Sequence, residues 1–185
     1  MDVPPIACER LELVSAGPPL LEAVLAGREE RAAALLGAPL SPGWPGEDVA
    51  PFLRLRLGQM RRDPCSQPWL VRLLMTREEP RTLIGTAGFH GPPGVNALDA
   101  PDAVELGYGL FPEFRRRGYA TEAVAALVRW AAEEHGIRRF VASIAPTNDA
   151  SLSLVRRLGF VQVGEHWDDE DGRELEFELR LPARA

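Results

Sequence analysis

A chain of 185 residues with 45% hydrophobic residues and a net charge of −6 is long enough to bury one core and too acidic to be drawn to nucleic acid by charge alone. Every one of its 21 basic residues is arginine, which removes a lysine nucleophile or Schiff base. The two cysteines, Cys8 and Cys65, have no His or Cys at ligand spacing, so neither a zinc site nor a disulfide framework is supported.

No apolar run approaches the about 20 residues that span a bilayer, and Met1-Asp2-Val3-Pro4 lacks the basic start and apolar core of a signal peptide. The expectation is one domain over residues 1–185, cytoplasmic, monomeric or homodimeric, with no metal, nucleic-acid or membrane partner. In chain order, Arg10 to Val14 reads as a strand, followed by helical pieces Leu20 to Ala26 and Glu29 to Leu36 parted by Gly27. A Pro/Gly-rich loop, Ala38 to Gly46, carries Trp44. Asp48 to Arg61 reads as a helix with Phe52, Leu55 and Met60 inward, Pro51 restricting them to after its first turn. Trp69 to Met75 and Thr82 to Phe89 read as strands of a hairpin closed by Arg77 to Arg81. After a loop from Gly91 to Asp102, Val104 to Phe111 alternates as a strand until Pro112 removes a donor.

Ala120, Val124, Leu127, Val128 and Ala131 then recur at helical spacing until His135-Gly136. Arg139 to Ala145 reads as a strand, and Asn148 to Leu158 as a helix capped by Asn148 and stopped by Gly159. Val161 to Trp167 and Arg173 to Leu181 read as a closing hairpin whose acidic turn ends in Asp171-Gly172. Strand-helix-strand-helix in the second half implies a partly parallel sheet, so the fold class is mixed α/β.

The most informative stretch is Arg115-Arg116-Arg117-Gly118-Tyr119-Ala120, where a strand gives way to a helix. The first turn of a helix leaves amide N–H groups without partners, and the macrodipole adds positive charge, so an anion is favoured there. Gly118 lets that anion approach the backbone. Three arginines at the same place oppose the dipole unless an anion compensates them.

These pieces resemble the GNAT superfamily of acetyl-CoA-dependent N-acetyltransferases, whose signature at this turn is Arg/Gln-x-x-Gly-x-Gly/Ala. Arg115, Gly118 and Ala120 stand at its fixed positions. Downstream, Asn148-x-x-Ser151 followed by Leu158-Gly159-Phe160 repeats the family spacing, and Gly118-Tyr119-Ala120-Thr121-Glu122-Ala123 resembles the RimJ/RimL-like branch. The resemblance implies a central, mostly antiparallel twisted sheet of about six or seven strands, helices on both faces, and a parallel pair splayed at the cofactor site. It implies acetyl-CoA as co-substrate and a primary amine as acceptor, either a protein N-terminus or a small molecule.

By the same resemblance, amides of Arg117, Gly118, Tyr119, Ala120 and Thr121 hold the pyrophosphate, with Arg115 and Arg116 nearby. The backbone of Tyr108, Leu110 and Phe111 pairs with the pantetheine arm, and Asn148 contacts it. Acetyl transfer needs a deprotonated amine, a polarised carbonyl and a proton for the thiolate. Glu105 is the candidate base, on the strand face shared with Gly107 and Gly109, or else a structural carboxylate paired with an arginine. A backbone N–H near Leu110 meets the oxyanion. Many relatives place a tyrosine seven residues after the equivalent of Asn148, where this chain has Val155, so Ser151 is the candidate acid. Val155 also keeps open a catalytically silent domain that binds acyl-CoA as a sensor or scaffold. His90, His166 and Trp44 are set below these as incidental, rim or packing residues.

Overall fold

The structure is a computed structural model and describes residues 3–168 and 172–182. The chain divides into two compact units, Met1–Gly88 with Tyr108–Ala123, and Phe89–Gly107 with Val124–Ala185.

In the first unit, β1 (Ile6–Ala7), β2 (Leu11–Ser15), β3 (Arg72–Thr76) and β4 (Leu83–Phe89, to Gly88 in this unit) pair antiparallel in sequence order. The last residues of β5 (Ala103–Leu110) lie beside β4, where the Phe111 amide donates to the Ile84 carbonyl at 3.0 Å. Helices α1 (Pro18–Leu25), α2 (Glu29–Leu36) and α3 (Ala50–Arg62) complete the unit. Pro18 and Pro19 open α1 where a missing donor is harmless, and Gly37, at φ 71°, ends α2 in the left-handed region. Their apolar faces form one core with Leu70, Leu73, Met75 and Leu83.

Arg72 is buried in the same unit, 1% exposed. It donates to the carbonyls of Pro4, Leu13 and Pro68, and burial lowers its guanidinium to about 10.

In the second unit the strand order is β5, β6 (Arg139–Ile144), β8 (Gly172–Arg180), β7 (Val161–Asp168). The β5–β6 pair is parallel and the others are antiparallel. The parallel ladder consists of Ala103↔Arg139, Val104↔Phe140 and Glu105↔Val141. Helix α4 (Tyr119–Glu134) belongs to this unit from Val124 onward, and α5 (Asp149–Arg157) wholly so. Phe140, Ala142, Ile144 and Phe177 are buried on one face of these strands, and Arg156 of α5 stacks on the Phe177 ring at 5.8 Å.

Four expectations are corrected. The described residues hold eight strands rather than six or seven, because Ile6–Ala7 adds a two-residue strand against Leu13 and Glu12. Trp69 to Val71 precede their strand: Trp69 and Leu70 donate to Ser66 and Gln67, which extends the turn and delays β3 to Arg72. Leu55 is 54% exposed, since the inward stripe of α3 runs through Leu53, Leu57 and Met60. Ala103 to Leu106 are buried without alternation, as a strand flanked on both sides requires. The acidic turn falls on 169–171, outside the described residues.

Candidate functional site

In the first unit, β5 ends at Leu110, Pro112–Phe114 form one 3-10 turn, and α4 begins at Tyr119, with the Glu122 amide donating to Gly118. Between them Arg116 (φ 60°) and Gly118 (φ 83°) both adopt left-handed conformations. For Arg116 that conformation is strained, as is common where a loop is shaped for a ligand. Arg115 to Gly118 are exposed, and the amides of Tyr119, Ala120 and Thr121 belong to the turn that has no intrahelical acceptors.

The three arginines diverge. Arg115 Nε donates to the Leu110 carbonyl at 3.0 Å, the Arg117 guanidinium lies 5.9 Å over the Phe114 ring, and Arg116 takes the strained position. Because Phe111 N–H faces β4 and backbone direction alternates, the backbone groups of Tyr108 and Leu110 face away from β4. Of the predicted cofactor-contacting residues, Tyr108 and Leu110 thus carry outward amides, Arg115 to Gly118 are exposed, and Tyr119 to Thr121 carry helix-start amides, while the Phe111 amide is spent on Ile84. They fit an anion attached to an extended arm.

Sequence reasoning missed Arg10. Its backbone amide and Nε donate to the two Glu122 oxygens at 2.6 and 2.8 Å. Its Nη1 donates to the Arg117 carbonyl at 3.0 Å, and its guanidinium lies 4.5 Å over the Tyr119 ring. One side chain therefore ties the Arg115–Gly118 turn to the first turn of α4. Burial alone would raise the Glu122 carboxyl, but hydrogen bonds from Arg10 and Cys8 and the Arg10 charge outweigh it and hold it below the ordinary value of 4.5. The contribution to stability is complete above that value and is lost as pH falls through the lowered one. Glu122→Gln is expected to melt several degrees below the wild type at pH 7, corresponding to about 1–2 kcal/mol. Calorimetric scans should see that gap close as pH is taken well below 4.5. A gap constant down to pH 3 would show that the pair contributes no charge-dependent stability.

In the second unit, Glu105 is nearly sealed, its side chain 4% exposed. Its Oε2 accepts from the Ala97 amide at 2.7 Å and lies 3.6 Å from Nδ1 of His90. The predicted carboxylate is in place, and its partners are a loop amide and a histidine rather than an arginine. The loop itself is organised by Asn96, whose side chain bonds Ala100, Ala103 and Leu98.

Register places further groups on the Glu105 face. Glu105 pairs with Val141, Val141 with Glu178 and Ser143 with Glu176, while Glu174 pairs with His166. His166 Nδ1 lies 3.1 Å from Glu176, and Nε2 lies 3.7 Å from Glu174. A Cβ at Gly164 would collide with the Glu176 carboxylate. Ser143 Oγ is buried and has no hydrogen-bond partner among the described residues. Four carboxylates thus share one sheet face with Arg139 and Arg180, which both pair with Glu178, a pattern that needs strand register and is invisible in the linear chain.

Asn148 caps α5, its Oδ1 accepting from the Ser151 amide at 3.1 Å. Val155 is fully buried, so the tyrosine position of many relatives is a core position in this chain. Trp44 packs against the first unit's core as a loop staple. It also lines a groove of about 510 Å³ with Val24, Leu40, Glu29 and Glu47. Among the described residues no group of three or more His, Cys, Asp or Glu is arranged to hold a metal ion, and no helix is long and apolar enough to cross a membrane.

Comparison with known proteins bears directly on this arrangement. Residues 21–161 match the acetyltransferase (GNAT) domain family. A Bacillus subtilis protein named uncharacterized N-acetyltransferase YjdG is 26% identical over 155 residues, 82% of this chain and 86% of its own length. An aminoglycoside N(6')-acetyltransferase type 1 of Salmonella typhimurium is 36% identical over 67 residues, 36% of this chain and 46% of its own. Among solved structures, the ribosomal L7/L12 alpha-N-protein acetyltransferase RimL in complex with coenzyme A aligns with a TM-score of 0.64 at 20% identity. That alignment covers 97% of this chain and 99% of the other.

Proposed function

Because the chain belongs to the GNAT family and is an N-acetyltransferase, we propose that it moves acetyl from acetyl-CoA to a cationic primary amine by direct attack in a ternary complex. The observation that carries the acceptor reading is the face bearing Glu105, Glu174 and Glu176, beside a Glu178 already paired with Arg139 and Arg180. Carboxylates on one face favour a protonated amine over a neutral or anionic acceptor.

In this reading the amides from Arg117 to Thr121 bind the pyrophosphate, aided by Arg115 and Arg116. The outward backbone groups of Tyr108 and Leu110 take the pantetheine arm as an added strand. Leu110 offers its outward N–H to the developing oxyanion. The Leu110 carbonyl is already engaged by Arg115 Nε, so its amide is the group left for the substrate. Glu105 is the carboxylate behind amine deprotonation. Ser151 stands at the first turn of α5 as the proton donor for the thiolate, and Asn148, while capping α5, retains its Nδ2 for the cofactor arm.

Two substrate classes appear in the names of the similar proteins, a protein N-terminus and an aminoglycoside, and both carry a protonated amine. Calorimetry with acetyl-CoA, followed by a free-thiol assay over N-terminal peptides, diamines and aminoglycosides, tests the reading. Micromolar binding and thiol release that follows acceptor positive charge are expected. Binding with no thiol release from any amine would favour the silent acyl-CoA-binding domain that Val155 keeps open.

A further inference from the structure

We infer that His90, rather than Glu105, is the residue that meets the acceptor amine, and that Glu105 is a positioning residue which sets the histidine's tautomer and charge. The inference rests on the acetyl-transfer reading for its chemistry and on the second unit alone for its geometry.

Exposure separates the two groups. Glu105 is 4% exposed and His90 43%. An amine approaching this face reaches the imidazole, while the carboxylate is shut behind it and occupied by the Ala97 amide. The ring is held at both edges. The His90 backbone amide donates to the Glu105 carbonyl at 2.9 Å, and Nδ1 faces the Glu105 carboxylate at 3.6 Å, ion-pair range rather than a hydrogen bond. Nε2 lies over Gly107, where an added Cβ would stand only 3.2 Å from it. Glycine at 107 therefore leaves the ring its place.

A carboxylate on the Nδ1 side favours N–H at Nδ1, which leaves the Nε2 lone pair as the basic position and stabilises the imidazolium once it forms. Glu105 lies in ion-pair range of the ring. Asp102, at the far end of the same loop, is engaged by Arg139 at 3.2 Å.

The step balances. His90 Nε2 takes one proton from the ammonium form of the acceptor, and the freed nitrogen lone pair forms the C–N bond to the thioester carbon. The C–S bond breaks with its electron pair on sulfur, the thiolate takes the Ser151 proton while the serine recovers the second nitrogen proton, and His90 returns its proton to solvent. One amide, one thiol and one proton result.

The test uses the full chain. His90→Gln is expected to lower kcat/KM about 100-fold or more on the best acceptor of the panel. Acetyl-CoA affinity should stay within two-fold, and added imidazole should restore part of the turnover of His90→Ala. Glu105→Gln, which can still accept from Ala97, is expected to lower kcat/KM by about ten-fold. It should also move the His90 ring titration, followed by NMR, downward by about half a unit or more, since the nearby negative charge is gone.

Near wild-type turnover in His90→Gln with a 100-fold loss in Glu105→Gln would overturn the assignment in favour of direct action by Glu105. The NMR arm needs no turnover. If the wild type bound no acetyl-CoA, the acetyl-transfer reading would fail by itself. An unmoved His90 titration in Glu105→Gln would overturn the pairing whatever the activity.

Discussion

Replacing Gly118 by Val is expected to weaken acetyl-CoA binding at least ten-fold, and more than 100-fold if the turn rearranges, in a protein that still folds. Two effects add. Gly118 sits at φ 83°, which a β-branched residue adopts only under strain of about 1–3 kcal/mol. A Cβ there would stand 3.3 Å from Arg10 Nη2, pressing on the side chain that bonds the Arg117 carbonyl and Glu122. Arg10 is partly exposed and can move, so the penalty falls on the order of the turn more than on the core. Calorimetry with acetyl-CoA reads the affinity, and a thermal scan reads the fold. Unchanged affinity would mean that the pyrophosphate is held elsewhere.

The second large effect concerns the fold itself. A Cβ at Gly85 of β4 would collide with the Gly109 carbonyl oxygen and stand 2.9 Å from the Leu110 Cα, both backbone atoms that have no rotamer by which to retreat. Gly85→Ala is therefore expected to cost about 3 kcal/mol or more, at the upper end of overpacking, and to reach the cell mostly as insoluble protein. Gly109→Ala is the informative contrast. Its Cβ meets nothing within 4 Å, so stability should change by less than about 1 kcal/mol. The new methyl, however, would stand beside the Tyr108 and Leu110 backbone proposed for the cofactor arm, and acetyl transfer should fall. Denaturant unfolding of both variants checks the pair. Equal stability would mean that β4 and β5 are not held as close as Gly85 implies.

The legible parts of this chain are those whose causes are local. Pro112, Gly118 and the Ala-rich spacing after Tyr119 place a strand end, a turn and a helix start within a dozen residues. Asn148 and Gly159 likewise bound α5 by cap and stop, and the proposed anion-binding turn is read from the same kind of signal because helix amides and an arginine run are both local properties.

What escaped is what folding brings together. Arg10 and Glu122 are 112 residues apart, and no periodicity links them. His90 reads as an isolated histidine at a strand end until Glu105 is paired beside it. The carboxylates of β8 look like a charged, alternating edge until register sets Glu176 opposite Ser143 and Glu178 opposite Val141. Leu55 reads inward for a related reason: Leu53, Leu55 and Leu57 are all apolar, and only packing selects the stripe through Leu53, Leu57 and Met60.

The hydrogen bond from the Ala97 amide to Glu105 Oε2 has a practical consequence. That N–H points at one carboxylate oxygen, so its proton resonance and its exchange with solvent respond to the charge on that oxygen. Ala97, which has no part in the proposed chemistry, is a natural gauge within the backbone. Its amide signal should report the ionisation of the buried carboxylate directly, in the resting protein and without a labelled side chain.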